Sequence, residues 1–281
     1  MIPIRQRTIK NQVTIEGVGL QTGKKVRLNL KGSPANSGIN FIRLDLPNKP
    51  LLNIQSFDWL KAGPAERRTT LSLGPLEVQT IEHLMAALAG LSIDNIVIEL
   101  DNIELPGLDG SAKDFLNALK GGSIIEQDAP KKIIKIEDAM WCYGHQDNML
   151  AVFPDEEFKI SYTLSYKNKA IGTQFFNIIL NEKNFESEIA PARTFCLDEE
   201  ADALLSMGLG KGASYENTLV MGEDGPIKNS LRFPDEPVRH KILDLIGDLY
   251  LLGSQIKGHV VAIKSGHALN MELVKKIKAK L

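Results

Sequence analysis

"VRHKILDLIGDL", residues 238–249, reads as a helix whose polar groups fall in an unusual place. His240, Asp244 and Asp248 are spaced four apart, so they stack in one row on a helix surface. Ile242, Leu243, Leu245, Ile246 and Leu249 fill nearly all the remaining circumference. A surface helix offers water a broad charged face; this one is an apolar rod with a narrow polar stripe. A strand pattern, HVVAIK (259–264), comes next, followed by a last helix, GHALNMELVKKIKAKL (266–281).

The same order occurs earlier. TIEHLMAALAGL (80–91) reads as a helix, with Thr80 as N-cap and Gly90 placed to end it. DNIVIEL (94–100) is a strand and GSAKDFLNALK (110–120) a second helix. A Gly-(Ser/His)-Ala turn opens the later helix each time, and the steps match: 28 from His83 to Ser111, 27 from His240 to His267. Order, spacing and turn together indicate a duplicated α+β unit. Strand patterns precede each helix: TIKNQVTIEGVGL and KVRLNLKG in the first half; IIKIED, MLAVFP, FKISYTLSY and TQFFNIIL in the second. The proline-bearing stretch 33–63 reads as irregular, a small insert. GGSIIEQDAPKK (121–132) reads as a linker, giving domains 1–126 and 127–281. Within the second, residues 192–221 carry an amphipathic helix between strand-like TFCL and NTLVM, a βαβ insert.

Composition excludes several classes. A chain of 281 residues, 43% hydrophobic and 24% charged, is ordinary for a globular protein of one large or two medium domains. A net charge of −2 leaves no basic footprint for nucleic acid. No apolar run is long enough to span a bilayer, and the N-terminus lacks the apolar core of a signal peptide, so the expected compartment is the cytoplasm. Cys142 and Cys196 are read as free and buried.

Burying an unpaired carboxylate costs several kcal/mol or forces it to take up a proton. The row on the helix must therefore face water, pair internally or hold a cation. His and Asp four apart suit one zinc, with ligand atoms at about 2 Å. A plain His–Asp hydrogen bond lining a cleft fits an isolated HxxxD better. His83, in the first turn of an otherwise apolar helix, offers a third ligand, and the helix dipole favours its neutral imidazole; a packing role is the plain alternative. The dipole also favours an anionic Glu82, suited to act as general base. His267 opens the last helix after Ser265, a plausible N-cap. That position lowers its pKa unless an anion compensates, and Asp248 is the natural one. His259 and His145 read as structural or solvated.

GVGLQTG (17–23), TIEHLMAALAGLSIDN (80–95), LPGLDGSA (105–112), ARTF (192–195), VRHKILDLIGDL and KSGHALN (264–270) resemble, in order along the chain, the UDP-3-O-acyl-N-acetylglucosamine deacetylase family. These are zinc enzymes of the committed step of lipid A biosynthesis. The resemblance implies His83, His240 and Asp244 as zinc ligands, with the fourth position left for water. It implies Glu82 as general base, His267 as general acid held by Asp248, and Thr194 at the oxyanion. Lys241, counted among the catalytic residues, and Lys264 would face the diphosphate. Phe195 would pack on the sugar, Tyr166 would stand near the uridine, and Leu20 would touch substrate. The implied fold is two α+β sandwiches face to face, each with an insert, the second forming an acyl-chain passage bounded by residues such as Leu204, Leu205 and Met207.

Departures from the family pattern are Gln21, where histidine is common, Asn168-Lys169, where His-Pro is common, and Thr70, near the place of a cysteine in some members. With the sequence ending at Leu281, the dehydratase domain of some fused relatives is not expected. Iron(II) is as compatible with a His2Asp site as zinc, and a monomer is expected. Two rivals stand beside this reading. One is a different zinc amidohydrolase or peptidase, weakened by the absence of HExxH. The other is a non-catalytic nucleotide-sugar binder, which would need neither Glu82 nor His267.

Overall fold

A computed structural model describes residues 4–61, 67–145 and 147–281. Two sheets dominate it, and they follow the same path. The first comprises, in chain order, Val13–Val18, Lys25–Gly32, Ile39–Arg43, Leu51–Asn53 and, beyond helix α1 (Glu82–Gly90), Ile96–Leu100. Numbered along the chain, these strands lie side by side as 1-2-5-3-4. The fifth is antiparallel to the second and parallel to the third. Helix α2 (Lys113–Gly121) follows.

The second sheet comprises Met140–Tyr143, Met149–Phe153, Phe158–Ser165 and Thr173–Ile179. The chain then passes through a single turn, α3 (Glu182–Asn184), a π-helical turn (Phe185–Ile189), α4 (Asp198–Ser206) and α5 (Glu236–Leu249). The fifth strand, Gln255–Ile263, and α6 (His267–Lys278) complete it. The spatial order is again 1-2-5-3-4, with the same directions. Ile133–Lys135 adds a parallel pairing to the start of the central strand. Identical strand order and polarity make this a fold built from two copies of one α+β unit.

Alternation explains the sheets. In Gln255–Ile263 every second residue is buried, so the strand shows one face to the helices. Val26, Leu28 and Leu30 do the same in the first sheet. α1 is buried at every position, and α5 at all but Arg239 and Lys241. They are buried on all sides because α1 and α5 pack on each other, which brings the two units together helix to helix. The approach is close: a Cβ added at Gly247 would lie 2.0 Å from the Glu82 carbonyl oxygen.

Several local expectations differ from the structure. Ile39–Arg43, in the stretch read as irregular, is the third strand of the first sheet, with Phe41 fully buried; residues 62 and 63 of that stretch lie outside the described residues. The expected linker is partly strand, since Ile124–Pro130 pairs antiparallel with Arg5–Ile9. Thr80 is not a helix cap. It is left-handed (φ 56°), and its hydroxyl donates to Glu104 Oε1 at 2.8 Å. Gly90 is the last residue of α1, where the missing side chain admits the Phe185 ring. Gly266, not Ser265, occupies the cap of α6, and the Ser265 hydroxyl donates to Asn270 Oδ1 at 2.6 Å. Phe195–Leu197 and Leu219–Met221 pair in parallel around α4. Cys142 is free and buried; Cys196 is free and only half-buried. No helix among the described residues is long and apolar enough to cross a membrane.

Candidate metal centre and catalytic cleft

His83 enters from the first turn of α1, His240 and Asp244 from successive turns of α5. One donor atom from each lies within 4.8 Å of the others. Asp244 Oδ1 is 3.3 Å from His240 Nε2 and 3.7 Å from His83 Nε2. The two imidazoles meet edge to face with centroids 5.0 Å apart. His240 Nδ1 is 3.0 Å from the Ala192 carbonyl oxygen, which can only accept. The ring proton therefore sits on Nδ1, leaving the Nε2 lone pair for a cation. Burial pushes the His240 pKa down to about 4, so this ring is neutral near pH 7. Burial opposes the Asp244 charge, yet His240 and Lys241 hold its carboxyl well below the ordinary range. Two imidazoles and one carboxylate, all buried, form a donor set suited to a divalent metal.

Lys241 Nζ is 2.6 Å from Asp244 Oδ2, and Lys241 also lines the surrounding cleft. Burial disfavours its charge, but Asp244 outweighs this and raises its pKa.

Two further titratable groups flank the cluster. Glu82 is buried, and its Oε2 accepts from the Thr69 N–H at 3.0 Å. Burial raises its pKa, against the pull of His267 and His83. His267 Nδ1 donates to Asp248 Oδ2 at 2.8 Å. Burial alone would depress the His267 pKa, but Asp248, followed by Asp244 and Glu82, raises it to about 9. Compensation by an anion thus outweighs burial. Asp248, fully buried, also accepts from Asn270 Nδ2 at 2.8 Å and from the Thr69 hydroxyl.

Glu82, His83, His240, Lys241, Asp244, His267 and Thr69 line a cavity of about 1230 Å³, whereas Asp248 and Asn270 do not. Leu20, Thr194, Phe195, Tyr166 and Lys264 line it too. Phe195 stands edge-on to Tyr166 (5.7 Å) and to His240 (6.4 Å), joining the metal cluster to the wider cleft. Leu204 of α4 lines the cavity; Leu205 (54% exposed) and Met207 (60%) are not among its lining residues.

The sequence from residue 6 to 279 matches the family model described as "LpxC: UDP-3-O-acyl N-acetylglycosamine deacetylase". The chain belongs to this family. It is 42% identical to the UDP-3-O-acyl-N-acetylglucosamine deacetylase of Chlamydia pneumoniae, over 99% of this chain and 98% of that protein. Identity to the Chlamydia caviae protein of the same name is also 42%, with the same coverage. The bifunctional enzyme LpxC/FabZ of Chlorobaculum tepidum is 37% identical over 98% of this chain and 64% of its own length. The LpxC family implies a catalytic metal, and among the described residues the His83–His240–Asp244 cluster has the donors for one.

The departures from the LpxC pattern acquire local roles. Gln21 Oε1 accepts from the Gly210 N–H at 3.0 Å, tying the first unit to the loop after α4. Asn168 closes a turn, accepting from Ile171 N and donating to the Gly222 carbonyl. Thr70 lines the cavity with a buried hydroxyl that has no hydrogen-bond partner among the described residues. Sequence reading missed Thr69, Asn270 and the Ala192 carbonyl. Only Asn270 carried a signal, lying one turn beyond His267 in KSGHALN; the other two act through contacts distant in sequence.

Proposed function

We propose that the chain is a cytoplasmic, monomeric zinc deacetylase. It would hydrolyse the 2-acetamido group of UDP-3-O-acyl-N-acetylglucosamine to UDP-3-O-acyl-glucosamine and acetate, the committed step of lipid A biosynthesis. The observation that carries this reading is the buried Glu82 and the Asp248-paired His267 flanking one three-donor cluster in a large cleft. A passive metal site needs neither group.

His83, His240 and Asp244 would hold the zinc, with iron(II) an alternative ion. When bound, the ion would polarise the acetamide carbonyl and acidify water. Glu82 takes the proton of the attacking water, an assignment favoured by its position beside His83 and its raised pKa. His267, protonated near pH 7, gives its proton to the departing glucosamine nitrogen, and Asp248 fixes its tautomer. Thr194 assists at the oxyanion. Lys241 occupies the outer oxygen of Asp244, which favours single-oxygen ligation through Oδ1. Phe195 packs on the sugar, Tyr166 lies near the uridine, Lys264 toward the diphosphate, and Leu20 and Leu204 supply apolar surface. Residues 1–126 and 127–281 form the two domains, and the insert near 192–221 forms the acyl passage.

The deciding experiment is deacetylation of the acylated UDP-N-acetylglucosamine before chelation, after chelation, and after separate add-back of zinc and iron(II). Activity that is lost with the metal and restored by it is expected. Full turnover in chelated protein of verified metal content would defeat the proposal.

A further inference from the structure

Thr69 takes part in the site from both of its polar groups. It is 3% exposed and precedes Thr70–Leu73, which pairs with Leu76–Gln79 in a tight hairpin leading into α1. The open end of that hairpin sets Thr69 beside Glu82, and its N–H donates to Glu82 Oε2 at 3.0 Å. The side chain points the other way, into the second unit. Its hydroxyl donates to Asp248 Oδ1 in a short hydrogen bond, and Oγ1 lies 3.0 Å from His267 Nδ1. A hydroxyl has a single proton, here given to Asp248, so toward His267 it acts as acceptor. The Nδ1–H is shared between Asp248 Oδ2 (2.8 Å) and Thr69 Oγ1.

Both oxygens of the fully buried Asp248 are then engaged: Oδ1 by Thr69, Oδ2 by His267 and Asn270. The carboxylate has no freedom to rotate, and the imidazole plane follows it. Asn270 is itself fixed, because its Oδ1 accepts from the Ser265 hydroxyl. Among the described residues, Thr69 alone hydrogen-bonds both Glu82 on α1 and the Asp248–His267 pair on α5 and α6.

We infer that Thr69 is a positioning residue that fixes the separation of general base and general acid across the junction of the two units. This rests on the roles proposed above for Glu82 and His267. Thr69→Val removes the hydroxyl at nearly constant shape and keeps the N–H bond to Glu82; Thr69→Ser keeps both contacts. In zinc-loaded protein the valine variant should lose about 10- to 100-fold in kcat, as losses of an outer orienting partner do. KM and zinc stoichiometry should stay unchanged, and the serine variant should recover most of the rate. Independently of turnover, the His267 Nδ1 proton resonance should shift in the valine variant and stay in place in the serine variant. If valine does not fold, Thr69→Ala serves the same comparison. Wild-type kcat in Thr69→Val, or an unmoved His267 proton, overturns the inference. Wild-type protein without deacetylase activity would instead remove the functional reading, and the proton resonance would still judge the contact.

Discussion

Gly247 lies between Asp244 and Asp248 in the last turn of α5, which runs on into the helical turn Tyr250–Leu252, and glycine inside a helix costs about 1 kcal/mol relative to alanine. Its presence is explained by the crossing with α1. An alanine Cβ would lie 2.0 Å from the Glu82 carbonyl oxygen and 2.8 Å from its carbon. Both are backbone atoms, so no side-chain rotation relieves the clash, and reaching ordinary contact takes a shift of more than an ångström. Overpacking of this kind costs about 1–3 kcal/mol, and the gain in helix propensity offsets about 1 kcal/mol of it. The net loss of stability is therefore modest, a fall in Tm of a few degrees for a chain of this size. The catalytic loss is larger. Parting the helices carries Glu82 and His83 away from Asp244 and Asp248, and misplacement by about 1 Å can cost on the order of 100-fold in rate. Gly247→Ala should thus melt only slightly below wild type while losing about two orders of magnitude in kcat and binding zinc less tightly. Turnover and zinc affinity equal to wild type would show that the crossing distance does not set the site, and the reasoning would fail.

Glu82→Ala should keep its zinc and lose turnover, whereas His240→Ala should lose metal and rate together; metal analysis beside kinetics separates the two. The pH–rate profile should be bell-shaped. Activity falls with decreasing pH as Glu82, raised by burial, takes up a proton, and falls with increasing pH as His267 loses one. His267 is raised to about 9 by Asp248 against burial, and a nearby dication lowers that value, so the alkaline limb should lie at or below about 9. A His267→Gln variant with full rate and an intact alkaline limb would remove the acid role. Arg193 and Glu236 form a buried ion pair at 2.9 Å, and Glu236 also accepts from the Arg193 and Arg232 amides. Glu236→Ala should lower stability by about 3–5 kcal/mol, the cost of stranding one partner of such a pair; urea melts of wild type and variant measure it.

Local chemistry made much of this protein legible from its sequence. Alternation marked several strands of both sheets, and the duplicated order of helix, strand, glycine turn and helix announced two copies of one unit. The four-residue steps His240, Asp244, Asp248 fixed one helix row, because helix geometry is set by the backbone alone. The meeting of His83 with that row was a matter for tertiary structure. It follows from α1 packing on α5, an event between segments more than a hundred residues apart that no periodicity encodes. Ile39–Arg43 looked irregular because its place depends on a parallel partner far along the chain, Ile96–Leu100. Thr69 and the Ala192 carbonyl likewise have meaning only after packing. Side-chain pattern decides which face of an element is apolar; which faces then meet, and the distances they leave between polar groups, is decided by the packed whole.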